Sequence, residues 1–370
     1  MKVLYFIHNL HIGGAETIVT QYLIELHHHG IEVILVEENK VSSFLRDRII
    51  DDGIRVYTLF DIETSNRVIN KIYRMMHPTQ KMWLQIIENE KPDIVHLHTN
   101  LENYCLDCFD PKKTVYSFHS KVRRSIEISS KENRRKIQYL ADQGATFIAL
   151  SLEMKEEIER ILHTDLVVYV PNGVNIEEIK KERYDRQEMN QFFSIDEGAK
   201  IIGHVGRFDT VKNHERIIEI FNCLLKRDNN WVLLLVGTGS SSRIGAIREL
   251  ARRYNVLDNV LFLGLRNDAV RIMSCFDVML LPSFSESFSL VLLEAQVHNI
   301  ACVASDAVPE EVICNDNCER VSLSEDNSLW ADAILRNYCK KCEVNDSIYD
   351  FSVENVISKL IKEYELIIRG

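Results

Sequence analysis

Apolar residues along the chain fall into short runs, separated by stretches in which they recur every three or four positions, as they do where strands alternate with helices. Strands are predicted at Val3–Ile7, Glu32–Val36, Ile54–Leu59, Ile94–Leu97, Thr114–Phe118, Thr146–Leu150 and Leu166–Val170. Helical spacing separates them at Ala15–His29, Met82–Glu90, Arg134–Asp142 and Leu152–Leu162. Such alternation implies a doubly wound parallel sheet. Pro171, Asn172 and Gly173 interrupt the pattern, and the charged stretch from Glu177 to Glu188, nearly devoid of apolar residues, reads as a hinge and linker. A second series then begins, with strands at Ile201–Val205, Trp231–Val236, Val260–Leu263, Val278–Leu281 and Ile300–Ala304. The last segment, Ser352–Ile368, places Val353, Val356, Ile357, Leu360, Ile361, Tyr364 and Ile367 on one helical face. The expected architecture is α/β, with two doubly wound, Rossmann-like domains facing across a cleft. Residues 1–173 form the first, onto which the helix of residues 352–370 packs back, and residues 174–351 form the second.

Composition narrows the function. The 370 residues carry 44 basic and 55 acidic side chains, a formal charge of −11, so no general positive field exists to hold nucleic acid. No apolar run approaches the ~18 residues that could span a bilayer, and the one at the N-terminus is too short for a secretory signal. A cytoplasmic chain is expected. Nine cysteines without an export signal predict unlinked thiols. The C-x-x-C pairs Cys105/Cys108 and Cys339/Cys342 lie too far apart in sequence for a zinc knuckle, so no metal is expected there.

Ligands of open α/β sheets bind beyond the carboxyl ends of the strands, so the turns there carry the candidate chemistry. The first turn, HNLHIGGAE, sets Gly13 and Gly14 before a helix, where N–H groups can meet a phosphate; a mere tight corner is the commoner meaning of such a pair. No G-x-x-x-x-G-K-[ST] occurs, which excludes an ATP P-loop, and neither domain opens with the full dinucleotide fingerprint. The second domain opens with GHVGRFDTVKNHE, in which Arg207 and Lys212 are placed to converge on a diphosphate or else to stand as two solvated charges. In PSFSESFSLVLLEAQ, Glu286 lies in a Ser-rich loop and Glu294 on a helix expected to start near Phe288. Ser287, Phe288, Ser289 and Leu290 would then offer N–H groups to a phosphate. His119 ends the strand TVYSFH and by itself reads equally as a core histidine; His96 and His98 in VHLH, and His27–His29, read as packing or solvated residues.

Taken together, GGAE at Gly13–Glu16, PNGV at Pro171–Val174, GHVGRF with Lys212 and Asn213, VGTG at Val236–Gly239, PSFSES and the Glu286/Glu294 pair resemble the retaining nucleotide-sugar glycosyltransferases of family 4, of GT-B fold, over nearly the whole chain. The resemblance to the branch with EAQ after the second Glu and VPEEV near Val308 points to capsular or exopolysaccharide assembly. It implies that Glu286 bonds the donor sugar's hydroxyls, that Glu294 binds the ribose, and that Arg207 and Lys212 neutralise the leaving diphosphate with help from the N–H groups of Phe288 to Leu290 and from Gly14. The Gly237 turn would belong to the donor site, backbone at Gly264–Arg266, including Leu265 and Arg266, would hold the base, and His119 would stand beside the reacting sugar and the acceptor. Many relatives have Gly where this chain has Ser287 and Ser289, which leaves the donor sugar open. UDP-sugars are the favoured donors.

The reaction needs a leaving diphosphate stabilised most in the transition state, which fixed cations and a helix terminus can do. No D-x-D occurs in the chain, so metal-independent transfer with no cofactor is expected, and a glycosidase's pair of flanking carboxylates is not evident. Lys112, Lys113, Lys121, Arg123, Arg124, Lys131, Arg134, Arg135 and Lys136 face only Glu127 and Glu132 over the same stretch. Lys121, Arg123 and Arg124 thus mark a patch for a lipid-linked glycan acceptor or an anionic membrane, against the alternative of a solvated charged helix. The rival readings are a nucleotide-sugar-binding partner subunit without catalysis and a GT-B nucleotide-sugar epimerase.

Overall fold

The computed structural model describes residues 1–11, 13–61, 78–98, 100–340 and 342–370, without the side chain of residue 124. Two compact units result: Met1–Gly173 with Val353–Gly370, and Val174–Ser352.

In the first unit the elements run β1 (Lys2–Ile7), α1 (Gly14–His28), β2 (Glu32–Asn39), α2 (Phe44–Asp51), β3 (Arg55–Phe60), α3 (Thr79–Glu90), β4 (Ile94–Leu97), β5 (Thr114–Ser117), α4 (Val122–Ile128), α5 (Lys131–Asp142), β6 (Thr146–Ala149), α6 (Leu152–Leu162) and β7 (Val167–Tyr169). Strands with continuous apolar runs are buried on both faces, as a parallel sheet covered by helices requires. The sheet order is β3-β2-β1-β4-β5-β6-β7. The winding therefore reverses between β1 and β4, and the gap at their carboxyl ends is where a ligand site forms.

The second unit repeats the plan with α7 (Ile176–Lys181), α8 (Arg186–Phe193), β8 (Lys200–Val205), α9 (His214–Leu225), β9 (Trp231–Val236), α10 (Ser241–Arg253), β10 (Val260–Gly264), α11 (Ala269–Met273), β11 (Val278–Leu281), α12 (Leu290–Val297), β12 (Ala301–Ser305), β13 (Cys318–Val321) and α13 (Asn327–Tyr338). Its order is β10-β9-β8-β11-β12-β13, reversing between β8 and β11. Trp231, Phe221, Ile217, Leu233 and Trp330 are fully buried at the centre of its core. The last helix, α14 (Val353–Arg369), belongs to the first unit: the Tyr364 hydroxyl lies 2.8 Å from that of Tyr5 and 2.6 Å from His96 Nδ1. A Cβ on Gly173 would stand 2.9 Å from Val353 Cα, so the Pro171–Gly173 turn can lie against this helix only with glycine there.

Three expectations are corrected. The stretch Glu177–Glu188 is not a linker: it forms α7 and α8, and Ile176, Ile179 and Met189 are buried in the second unit. Asn175 and Asp185 cap the two helices by accepting from the backbone N–H groups of Glu178 and Glu188. The strand β13 was absent from the pattern because Glu319 and Arg320 break its apolar run, as an edge strand permits. Cys105 and Cys108 are not free thiols but a disulfide, since the short turn Leu106–Cys108 brings their Cα atoms to 5.4 Å. Cys339 and Cys342 are unbridged.

Gly237, at the end of β9, has φ of +142° and its N–H donates to Gly264 O at 2.8 Å, while a Cβ there would collide with the carbonyl of Gly206. Gly237→Ala is expected to cost roughly 3 kcal/mol by combined overpacking and backbone strain; chemical denaturation of the purified variant beside the parent checks it.

Candidate functional site

In the second unit the site is built from the loops that follow β8 and β11. The Phe208 N–H donates to Thr238 O and the Gly206 N–H to Val236 O, which ties the loop after β8 to the end of β9. Asn213, held at φ of 54°, donates its amide to Pro282 O at 3.0 Å, and the Phe284 N–H donates to Val211 O at 2.8 Å. The loops 206–213 and 282–286 thus form one surface. On it Lys212 Nζ donates to Glu286 Oε1 at 2.7 Å, joining residues 74 apart in sequence. Glu286 is buried, and a buried carboxylate needs such a partner.

Arg207 does not share that contact. Its side chain is 78% exposed and stands 3.5 Å from Asp209, so the expected convergence of Arg207 with Lys212 is not present; the loop turns both toward its surface but pairs each with a different carboxylate. Beneath the loop, His204 donates its Nδ1–H to Leu280 O, 2.9 Å away, and His214 stacks on Phe208 with centroids 4.0 Å apart. Burial pushes His204 down to about 4 and His214 to about 2, so neither adds positive charge at neutral pH.

The helix expected near Phe288 starts at Leu290, with Ser289 as its N-cap. Ser287 and Phe288 precede it in irregular backbone, because the Phe288 ring is buried 5.7 Å from that of Phe351 and fixes the chain before the first turn. Ser289 Oγ is buried with no hydrogen-bond partner among the described residues. Burial raises the Glu294 carboxyl from its ordinary 4.5 to about 7. Leu265 is exposed after β10, whereas Arg266 makes a two-pronged pair with Asp268, Nε–Oδ1 2.8 Å and Nη2–Oδ2 2.7 Å. The guanidinium of Arg266 is thus engaged within the protein.

In the first unit Gly13 is the extended N-cap of α1, and a Cβ on it would collide with the Glu16 carboxylate; Gly14 has open space around it. His119 lies two residues beyond β5, with Nε2 2.9 Å from His98 Nδ1. Both line a cavity of about 350 Å³ with Ser120, Ser129, Asn133 and Asn100. Burial lowers His119 to about 4 and His98 well below the ordinary histidine value, so both are neutral at pH 7. His98 was passed over in the sequence; its hint lay in VHLH, where alternate residues share a strand face and one of them ends at the sheet's switch point.

The basic segment is only partly free. Lys136 Nζ donates to the carbonyls of Leu101, Glu102 and Tyr104, and Lys121 pairs with Glu153 at 3.3 Å. Arg123, Lys131 and Arg135 are exposed, as is Ile128 at 77%; the side chain of Arg124 lies outside the described residues.

Residues 12–178 match the description Glycosyltransferase Family 4, and residues 199–339 match Glycosyl transferases group 1. The chain is 27% identical to the glycosyltransferase EpsF of Bacillus subtilis over 90% of its own length and 87% of that protein's. It is 22% identical to the UDP-Gal:alpha-D-GlcNAc-diphosphoundecaprenol alpha-1,3-galactosyltransferase of Escherichia coli, covering 92% and 86%. In fold it is similar to a glycosyltransferase from Rickettsia africae, with a TM-score of 0.78 at 16% identity and coverage of 100% and 99%. HepE of Anabaena, solved in complex with UDP, gives a TM-score of 0.76 at 16% identity, covering 99% and 100%. Two doubly wound units of GT-B type, the first matched by the family 4 description and the second by the group 1 description, place the chain among the family 4 glycosyltransferases.

Proposed function

We propose that this glycosyltransferase moves a hexose or N-acetylhexosamine from a UDP-sugar, with retention and without a metal, to a lipid-linked glycan in capsular or exopolysaccharide synthesis. The observation that carries the reading is the Lys212–Glu286 pair: a cation for a diphosphate and an acceptor of sugar hydroxyls, set side by side at the switch point of the second unit. As the sugar–phosphate bond breaks, negative charge grows on the departing diphosphate. Lys212, Arg207 and the N–H groups opening α12 meet that charge, which makes their contribution larger in the transition state than in the ground state. Ser289 Oγ and Ser287 stand where they can donate to the same phosphate or to the sugar. Glu294 accepts the ribose hydroxyls, the Gly237 turn and the backbone of Leu265 and Arg266 border the base, and α1 with Gly13 and Gly14 offers a second N-terminus to a phosphate. His119 serves the acceptor side.

UDP is supported by the ligand of HepE and by the donor named for the Escherichia coli relative, whose acceptor is itself a lipid diphosphate. Exposed Arg123, Lys131 and Arg135, near exposed Ile128 in sequence, suit an anionic membrane surface, where each cation contributes about 1 kcal/mol and the apolar side chain can enter the headgroup layer. No described helix is long and apolar enough to cross a membrane, so contact of this patch would be peripheral.

UDP at 100 times its Kd should stabilise the protein by about 2.7 kcal/mol, with GDP, ADP and NAD giving less; thermal unfolding with each nucleotide measures this, and a shift with NAD alone would sink the reading. His119→Ala and Glu286→Ala are expected to reduce turnover of UDP-sugar roughly 100-fold or more while the UDP shift persists, whereas Lys212→Ala should lose both. A non-catalytic binding subunit would show no turnover to lose.

Glu294 gives a pH signature. Its carboxyl releases a proton near 4.5 when unfolded and near 7 when folded, so between those values the folded state holds more protons and stability falls as pH rises. Allowing for its partial exposure, this group should make the protein about 2 kcal/mol less stable at pH 8 than at pH 4, and Glu294→Gln should remove that component. Calorimetry of both proteins across this range decides it, the difference between them being the informative quantity. Replacing Lys121, Arg123 and Arg124 together by Glu should abolish co-sedimentation with phosphatidylglycerol vesicles without altering the UDP shift.

A further inference from the structure

His98 is 6% exposed and is held at its backbone and on its ring. Its backbone N–H donates to Phe6 O at 2.9 Å, its ring lies 4.8 Å from Tyr5 at an interplanar angle of 15°, and the His96 ring stands 3.9 Å away. His96 in turn is fixed through both nitrogens, Nδ1 to the Tyr364 hydroxyl at 2.6 Å and Nε2 to Ser117 Oγ at 2.8 Å. His98 therefore has one orientation, and its Nδ1 faces His119 Nε2 at 2.9 Å with the two rings only 28° apart.

A hydrogen bond between two neutral imidazoles needs the proton on one of the facing nitrogens and a lone pair on the other. His98 Nε2 is buried with no partner among the described residues. A proton there would be an unsatisfied buried donor, whereas a bare nitrogen leaves only an under-used acceptor, the less costly of the two. The proton of His98 belongs on Nδ1, pointing at His119.

We propose that His98 is a positioning residue for His119: it donates Nδ1–H to His119 Nε2, which fixes the plane of that ring and holds it as the Nδ1–H tautomer. The inference rests on the reading of His119 given above, but the tautomer can be tested apart from it. It also gives the tyrosine pair a purpose, since Tyr5 and Tyr364 brace His96 and His98 from behind and link the ring's posture to α14. Second-layer partners that orient a histidine in this way typically matter tenfold to a hundredfold to activity.

The experiment is a long-range ¹⁵N–¹H correlation spectrum of histidine-labelled protein at pH 7.5, with His119 assigned by His119→Ala. The wild-type ring should show a protonated Nδ1 and a bare Nε2. His98→Asn, whose amide can donate near the position of Nδ1, should keep this tautomer and lie within about threefold of wild-type turnover, read as UDP released from UDP-glucose, UDP-galactose or UDP-N-acetylglucosamine. His98→Phe preserves the stack and removes the donor; it should shift His119 toward the Nε2–H form and lower kcat roughly tenfold to a hundredfold, with the donor KM and the UDP shift unchanged. A protonated Nε2 on wild-type His119, or a Phe variant with unaltered tautomer and kcat, overturns the proposal. If His98→Phe does not fold, the wild-type spectrum and the Asn variant still decide. Unchanged turnover in His119→Ala would instead defeat the reading of His119 itself, leaving the tautomer to be judged from the spectrum alone.

Discussion

A parallel sheet whose winding reverses must splay the two strands at the reversal, and the gap left beyond their carboxyl ends constrains everything chemical in this chain. In the second unit β8 and β11 share only two register pairs, Ile202 with Val278 and Met279 with Gly203, before they part. The His204 ring bridges the opening by bonding Leu280 O, which spares a buried carbonyl from going unpaired. Above that bridge the loops after the two strands are stitched through Asn213 and Val211, and only then can Lys212 reach Glu286. In the first unit the reversal lies between β1 and β4, where the His98 N–H donates to Phe6 O, and the His98 ring then meets His119, which follows the neighbouring β5.

Much of this was legible in one sequence because strands buried on both faces must be apolar throughout, and helices covering them must repeat every three or four residues. The turns carrying Gly13, Arg207, Gly237 and Glu286 could be located for the same reason: the fold puts ligand-binding residues after strands. What escaped was of two kinds. Short helices with few apolar residues, such as Ile176–Lys181 and Arg186–Phe193, lacked periodicity, though their capping boxes, Asn175 with Glu178 and Asp185 with Glu188, were there to be read. Contacts between distant residues left no local mark at all. Nothing near Tyr5 announces Tyr364, 359 residues away, and nothing near Lys212 says that its charge rests on Glu286 and not beside Arg207.

The two kinds of histidine show why residue type alone misled. His204 and His214 sit beneath a loop rich in charge, yet burial keeps them neutral and their work is structural. His96 and His98 looked like packing residues and are packed, but His98 also spends a ring nitrogen on His119. Burial and function are not alternatives here. Packing against the ring faces fixes the plane of His98, and only a ring so fixed can keep its Nδ1 aimed at His119.

The Lys212–Glu286 pair bears on how a complete donor is told from its product. A buried carboxylate that loses its cation stands exposed to the full cost of an uncompensated charge. On the function proposed above, a diphosphate arriving without a sugar would draw on Lys212 and give Glu286 nothing in return. A nucleotide-sugar would draw on the same lysine but bring hydroxyls to donate to the carboxylate, so both halves of the pair would find new partners at once. The same geometry would then favour the intact donor over the nucleotide product, and the pair would re-form as the product leaves. Ser287 and Ser289 would add hydroxyl groups to this exchange, and Ser289 Oγ, buried and without a partner among the described residues, would gain most when a phosphate or a sugar arrives.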